Sequence, residues 1–97
     1  MKAVIVTYVV KKGREQEFVR TLRKHWKVLW SEGLTTDQLP FLLQDPENPS
    51  VYKEIFEWKS KRSFHMAHQS AKVQKVWKKL TDLTMEGGIE PAYFKRI

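Results

Sequence analysis

Ninety-seven residues carry 18 Lys and Arg against 11 Asp and Glu, a net charge of +7, and no cysteine. Disulfide staples, thiolate metal centres and cysteine nucleophiles are thereby excluded, and no apolar run approaches the ~20 residues that cross a bilayer. The length fits a single domain over 1–97, and four Trp, five Phe and three Tyr are a generous aromatic supply for it.

The positive balance suits an anionic partner such as nucleic acid, phosphate or a carboxylated metabolite. A solvated, lysine-rich surface is the plainer reading. The chain enters a β-like run at once, without a small-residue cleavage site. A cytoplasmic protein is the expectation.

Ala3 to Val10 is rich in β-branched residues and predicts a first strand. Its near-continuous apolar character implies that both faces are covered. Lys11-Lys12-Gly13 is the turn out of it. Arg14 to Glu32 has the helical stripe Phe18, Leu22, Trp26 and Leu29, with Glu15 and Glu17 in the first turn where the helix dipole favours acids. Gly33 suits the position just past the end of that helix.

Leu39 to Gln44 predicts a weaker strand, and Pro40 puts it at an edge. Asp45-Pro-Glu-Asn-Pro-Ser50 is a dense turn signal. Val51 to Trp58 follows as a third strand that pairs with the second as a hairpin. Its two faces are Val51, Lys53, Ile55, Glu57 and Tyr52, Glu54, Phe56, Trp58.

Ser60 can cap a second helix starting near Lys61, and Ser70 can divide it in two. Phe64, His68 and Ala71 share one helical stripe, continued by Val73, Val76, Trp77 and Leu80. Gly87-Gly88 ends the helical region, and Ala92 to Arg96 is a short last strand. The order β-α-β-β-α-β, with right-handed crossovers, predicts an α+β ferredoxin-like antiparallel sheet with both helices on one face. The other face would be a bare apolar surface, best covered by a second copy of the chain as a homodimer.

Three features then look like a known family. Asp45-Pro-Glu-Asn-Pro, Glu57-Trp58, and His68 eleven residues after Glu57 resemble the antibiotic-biosynthesis monooxygenase family. The resemblance follows the element order of nearly the whole chain and is carried mostly by Asp45 to Val76. It implies a dimeric α+β barrel made from two ferredoxin-like sheets. It also implies a place among cofactor-free oxygenases of quinols and polyketide phenols, enzymes acting on small signal molecules, or heme-degrading members. The heme-degrading branch is matched around Trp58-Lys59-Ser60 and Phe64 but left at three positions. The first strand has no Asn, and Ala67 and Trp77 stand where that branch has Trp and His.

With no cofactor expected, His68 is the first candidate for acid–base chemistry. It follows Phe64 by one turn, which aims it at the space between the second helix and the sheet, and a neutral imidazole can take a proton from a phenol or hydroquinone. Glu57 can orient it. Trp58, Phe56, Tyr52, Tyr8 and Phe64 can line a pocket for a planar aromatic substrate, with Trp26 and Trp77 closing it from the helices. Each has a plainer alternative: a packed histidine, a salt-bridged carboxylate beside Lys59, and core or interface aromatics.

His65 and His68 have a metal-compatible spacing but lack a third ligand beyond Glu57 or the distant His25, so no metal is expected. RNA binding is not expected either, because Val51 to Trp58 lacks the glycines of the RNA-recognition motif and carries two acids. The functional expectation is a cofactor-independent monooxygenase of a small aromatic or quinol-like substrate. The alternative is a non-catalytic dimeric module for small-ligand binding or stress response.

Overall fold

The computed structural model describes residues 2–97. Its elements are β1 (Lys2–Val10), α1 (Glu15–Ser31), β2 (Phe41–Gln44), β3 (Val51–Glu57), α2 (Lys61–Gln69), α3 (Ala71–Leu83) and β4 (Thr84–Lys95). The sheet order is β2-β3-β1-β4 with every neighbour antiparallel, the ferredoxin-like arrangement expected from the element order. Three helices cover one face.

Strand periodicity decides which side chains meet those helices. On β1 these are Val4, Val6, Tyr8 and Val10, all buried. On β3 they are Tyr52, Glu54 and Phe56, continued by Trp58 just past its end, also buried. Phe18, Leu22 and Leu29 of α1 and Val73, Leu80 and Leu83 of α3 close the core from above. The opposite face carries Val9, Phe41, Leu43 and Phe94, all exposed.

Local chemistry explains the element ends. Gly33 takes a positive φ of 73° after α1. Its N–H donates to Trp30 O, and that of Leu34 donates to Leu29 O, the paired bonds of a Schellman stop. Asp45 Oδ1 accepts from the backbone N–H groups of Glu47 and Asn48, which closes the β2–β3 turn. Ser60 and Ser63 form a capping box at the start of α2. Ser70 ends α2 and caps α3, its Oγ accepting from the Val73 N–H. The single second helix thus becomes two.

Two boundaries differ from the sequence expectation. Strand β2 begins at Phe41, because Pro40 has no N–H for the ladder. Strand β4 is twelve residues long rather than a short run from Ala92. Gly87 and Gly88, expected to end the preceding region, instead lie inside β4 at a register break opposite Tyr8–Val10. A Cβ on Gly88 would sit 2.7 Å from Met85 O and 2.9 Å from Val9 O, so only glycine permits this close strand contact. Pro91 is tolerated because β4 is an edge strand.

Across the outer surface of α1 and α3, Glu17 accepts from both Lys79 and Arg14. These two partners, Lys79 first, lower its carboxyl from the usual 4.5 to about 2. A depressed carboxyl adds stability that is present above the unfolded value and lost as pH falls through the folded one. The Tm advantage of the wild type over Glu17→Gln is therefore expected to be full above pH 4.5 and to vanish toward pH 2. Melting curves across that range check this; a pH-independent difference would contradict it.

Candidate active site

Between the helices and β3-β1-β4 lies a cavity of about 400 Å³. The sheet supplies Val4, Val6 and Tyr8 from β1, Phe56 and the adjoining Trp58 from β3, and Ile89, Pro91 and Tyr93 from β4. The helices supply His25 from α1, Phe64 and His68 from α2, and Trp77, Leu80 and Thr81 from α3. The wall is predominantly apolar and aromatic, as in most small-molecule sites.

A buried polar chain crosses its inner side. Trp77 Nε1–H donates to His25 Nε2 at 2.9 Å. His25 Nδ1 lies 2.8 Å from Glu54 Oε2, and Tyr8 OH donates to Glu54 Oε1 at 2.7 Å. Because the indole can only donate, His25 Nε2 must be its unprotonated nitrogen, and Nδ1 carries the proton given to Glu54. The chain therefore selects one tautomer of His25. Glu54 is 0% exposed and His25 3%. Burial and then the Glu54 charge and hydrogen bond push the Tyr8 hydroxyl well above its usual 10, so it stays a donor.

His68 lies at the exposed mouth rather than in the core. Its ring packs edge-on against Phe64 at 4.6 Å and Trp77 at 4.8 Å between centroids. Its backbone carbonyl accepts from Gln74 Nε2, while its ring nitrogens have no protein hydrogen bond among the described residues.

The sequence-predicted residues separate into two groups. Tyr8, Phe56, Trp58, Phe64, His68 and Trp77 meet at the cavity. Three others do not. Glu57 pairs with Ala3 on the opposite face of the sheet, where Thr36 Oγ1 and Arg96 donate to it, so it cannot orient His68. The one-residue alternation of a strand is the reason. Tyr52 packs on Phe18 and accepts from Gln44 Nε2 near the β2 edge. Trp26 is turned against Trp30, with centroids 6.0 Å apart.

His25 and Glu54 are the residues that sequence reasoning left out of the site, weighing His25 only as a distant metal ligand and Glu54 only as a position on the third strand. Their signals were present. His25 lies seven residues after Phe18 and four before Leu29, on the buried stripe. Glu54 alternates with Tyr52, Phe56 and Trp58 on the helix-facing side of β3. Among the described residues no three His, Cys, Asp or Glu side chains converge as a metal set.

Removing Glu54 would strand two buried donors. Glu54→Ala is expected to cost about 3–5 kcal/mol, and Tyr8→Phe about 1–3 kcal/mol, by urea unfolding. A loss for Glu54→Ala within ~0.5 kcal/mol of zero, the usual range for a surface site, would show that the network contributes nothing to folding.

No family pattern matches the chain, and no curated protein resembles it in sequence. Solved structures do resemble it in shape. A conserved protein from Methanosarcina mazei Go1 is 20% identical over 99% of this chain and 92% of its own, with a TM-score of 0.81. SnoaB, a cofactor-independent oxygenase from Streptomyces nogalater, is 16% identical over 98% and 91%, with a TM-score of 0.82. A further antibiotic biosynthesis monooxygenase is 13% identical over 100% and 99%, with a TM-score of 0.81. At these identities the likeness is one of architecture, and on it the chain has the ferredoxin-like α+β fold of the antibiotic-biosynthesis monooxygenase structures.

Proposed function

We propose that this chain is a cofactor-independent monooxygenase acting on a small aromatic or quinol-like molecule held in the cavity. The observation that carries the reading is the placement of His68. An imidazole without a protein partner for its ring nitrogens stands at the mouth of an aromatic-lined cavity. The likeness in fold to a cofactor-independent oxygenase supports it.

In this reading the substrate ring lies against Phe56, Trp58 and Phe64, and a phenolic hydroxyl points at His68. His68 removes the phenolic proton and leaves an electron-rich anion. That anion passes electrons to dioxygen, and a carbon–oxygen bond forms on the ring. Loss of the ring proton and cleavage of the O–O bond then give the quinone and water. One oxygen atom enters the product and the other leaves as water. The substrate supplies all four electrons, so no external reductant is consumed. Trp77 holds the edge of the His68 ring, and His25 holds Trp77 through its Nε2 acceptor.

The second reading, a binding module without chemistry, has its own support. Tyr8, Glu54, His25 and Trp77 satisfy one another, so these buried polar groups are engaged in holding the fold together rather than turned to a substrate. Both readings include a homodimer through the open sheet face. Phe41, Leu43, Val9 and Phe94 expose an apolar surface there that a second copy would bury. Charging that face as Phe41→Asp/Phe94→Asp is expected to convert dimer to monomer in light scattering; an unchanged mass would exclude this interface.

The chemistry is tested with naphthols and hydroquinones as substrates, by oxygen uptake and by transfer of labelled dioxygen into product. The wild type is expected to turn over and His68→Ala to be slower by about 100- to 10,000-fold. Equal rates in the variant would sink His68 as the base. Saturable binding with no oxygen uptake would select the binding module.

A further inference from the structure

The aromatic cavity adjoins a second hollow of about 690 Å³, and the two share Trp58, Phe64 and Tyr93 as lining residues. The charged side chains lining this vestibule are Lys2, Lys61 and Lys95, and among the described residues no carboxylate lines it. None of the three lysines is ion-paired among the described residues.

Two local arrangements here are unfavourable by themselves. Lys2 and Lys95 are direct cross-strand partners of β1 and β4, on the face that carries Val4 and Tyr93. Like charges directly opposite on adjacent strands repel. Lys61 is the first residue of α2, Arg62 follows it, and the first turn contains no acid. Cations at a helix N-terminus oppose the helix dipole. Two unrelated elements thus place uncompensated positive charge around one opening. Local rules broken together in this way mark functional sites more than structural ones. A bound anion relieves both conflicts at once.

We propose that the vestibule is the anion site of an aromatic carboxylic acid whose ring occupies the adjoining cavity. The proposal rests on the reading that the cavity takes an aromatic ligand, and it specifies that ligand's class. Lys2, Lys61 and Lys95 hold the carboxylate, while Trp58, Phe64 and Tyr93, which line both hollows, flank the ligand where it crosses from one to the other. The lysines here are specificity determinants rather than catalytic residues.

The test is binding to the full chain by calorimetry at low salt, with naphthoate, naphthol and acetate as probes. Naphthoate is expected to bind about 10-fold or more tighter than naphthol, as charge-assisted contacts allow. That margin is expected to shrink at high salt. In the triple variant Lys2→Gln/Lys61→Gln/Lys95→Gln, naphthoate falls to the affinity of naphthol, and naphthol binding does not change. Naphthol binding also reports that the variant is folded. Without ligand, Lys95→Gln is expected to melt above the wild type, because one half of the like-charged pair is gone.

Equal affinity for naphthoate and naphthol in the wild type would overturn the proposal. So would a naphthoate preference that survives the triple variant, acetate binding as tight as naphthoate, or no binding of either aromatic probe. A lysine-dependent preference for naphthoate, with no oxygen uptake on naphthols or hydroquinones, upholds the anion site and rejects the monooxygenase reading instead.

Discussion

A carboxylate with no exposed surface, Glu54, organises the space between sheet and helices. An isolated buried charge is costly, so its oxygens must be met by donors. Tyr8 of the adjacent strand meets one and His25 of α1 meets the other. Each of these bonds crosses between elements: Tyr8 ties β1 to β3, His25 ties α1 to the sheet, and Trp77 ties α3 to α1. A single acid in the middle of β3 thereby constrains four elements and the inner wall of the cavity.

The consequences reach outward along the same chain. Glu54 accepts a hydrogen bond from the Nδ1–H of His25, which leaves Nε2 unprotonated to accept from Trp77. Trp77 then presents its ring to His68 at the mouth. Tyr8, Glu54, His25 and Trp77 satisfy one another, the buried Trp58 Nε1–H is left without a partner, and the cavity wall stays predominantly apolar. Such an interior suits a ligand chosen by shape and aromatic surface, as the proposed function requires. In the proposed anion site, selection by charge falls to the lysines at the rim.

Strand alternation explains why the two faces of the sheet differ. Even-numbered residues of β1 and β3 meet the helices, while odd-numbered ones face away. That rule separates Glu54 from Glu57, three residues apart and both buried, into different environments. Glu57 answers to Thr36 and Arg96 below the sheet. The apolar open face and the polar-centred closed face are two readings of one periodic pattern.

Much of this was legible along the chain. Periodicity set the helices and the faces of β3, and turn chemistry at Gly33, Asp45, Ser60 and Ser70 set their ends. The order of elements was enough for the sheet topology, and Phe56, Trp58, Phe64, His68 and Trp77 were read toward the cavity they line. These signals are local, a few residues long, and need no knowledge of the rest of the chain.

What only the tertiary structure decided lies at long range. Tyr8 meets Glu54 across 46 residues, and Trp77 meets His25 across 52. Lys2 faces Lys95 only because β4 runs on beyond its glycine bulge, in a register that no short window specifies. Periodicity assigns a residue to a face. Which residue it meets there depends on strand register and helix placement, and those are settled by packing of the whole core.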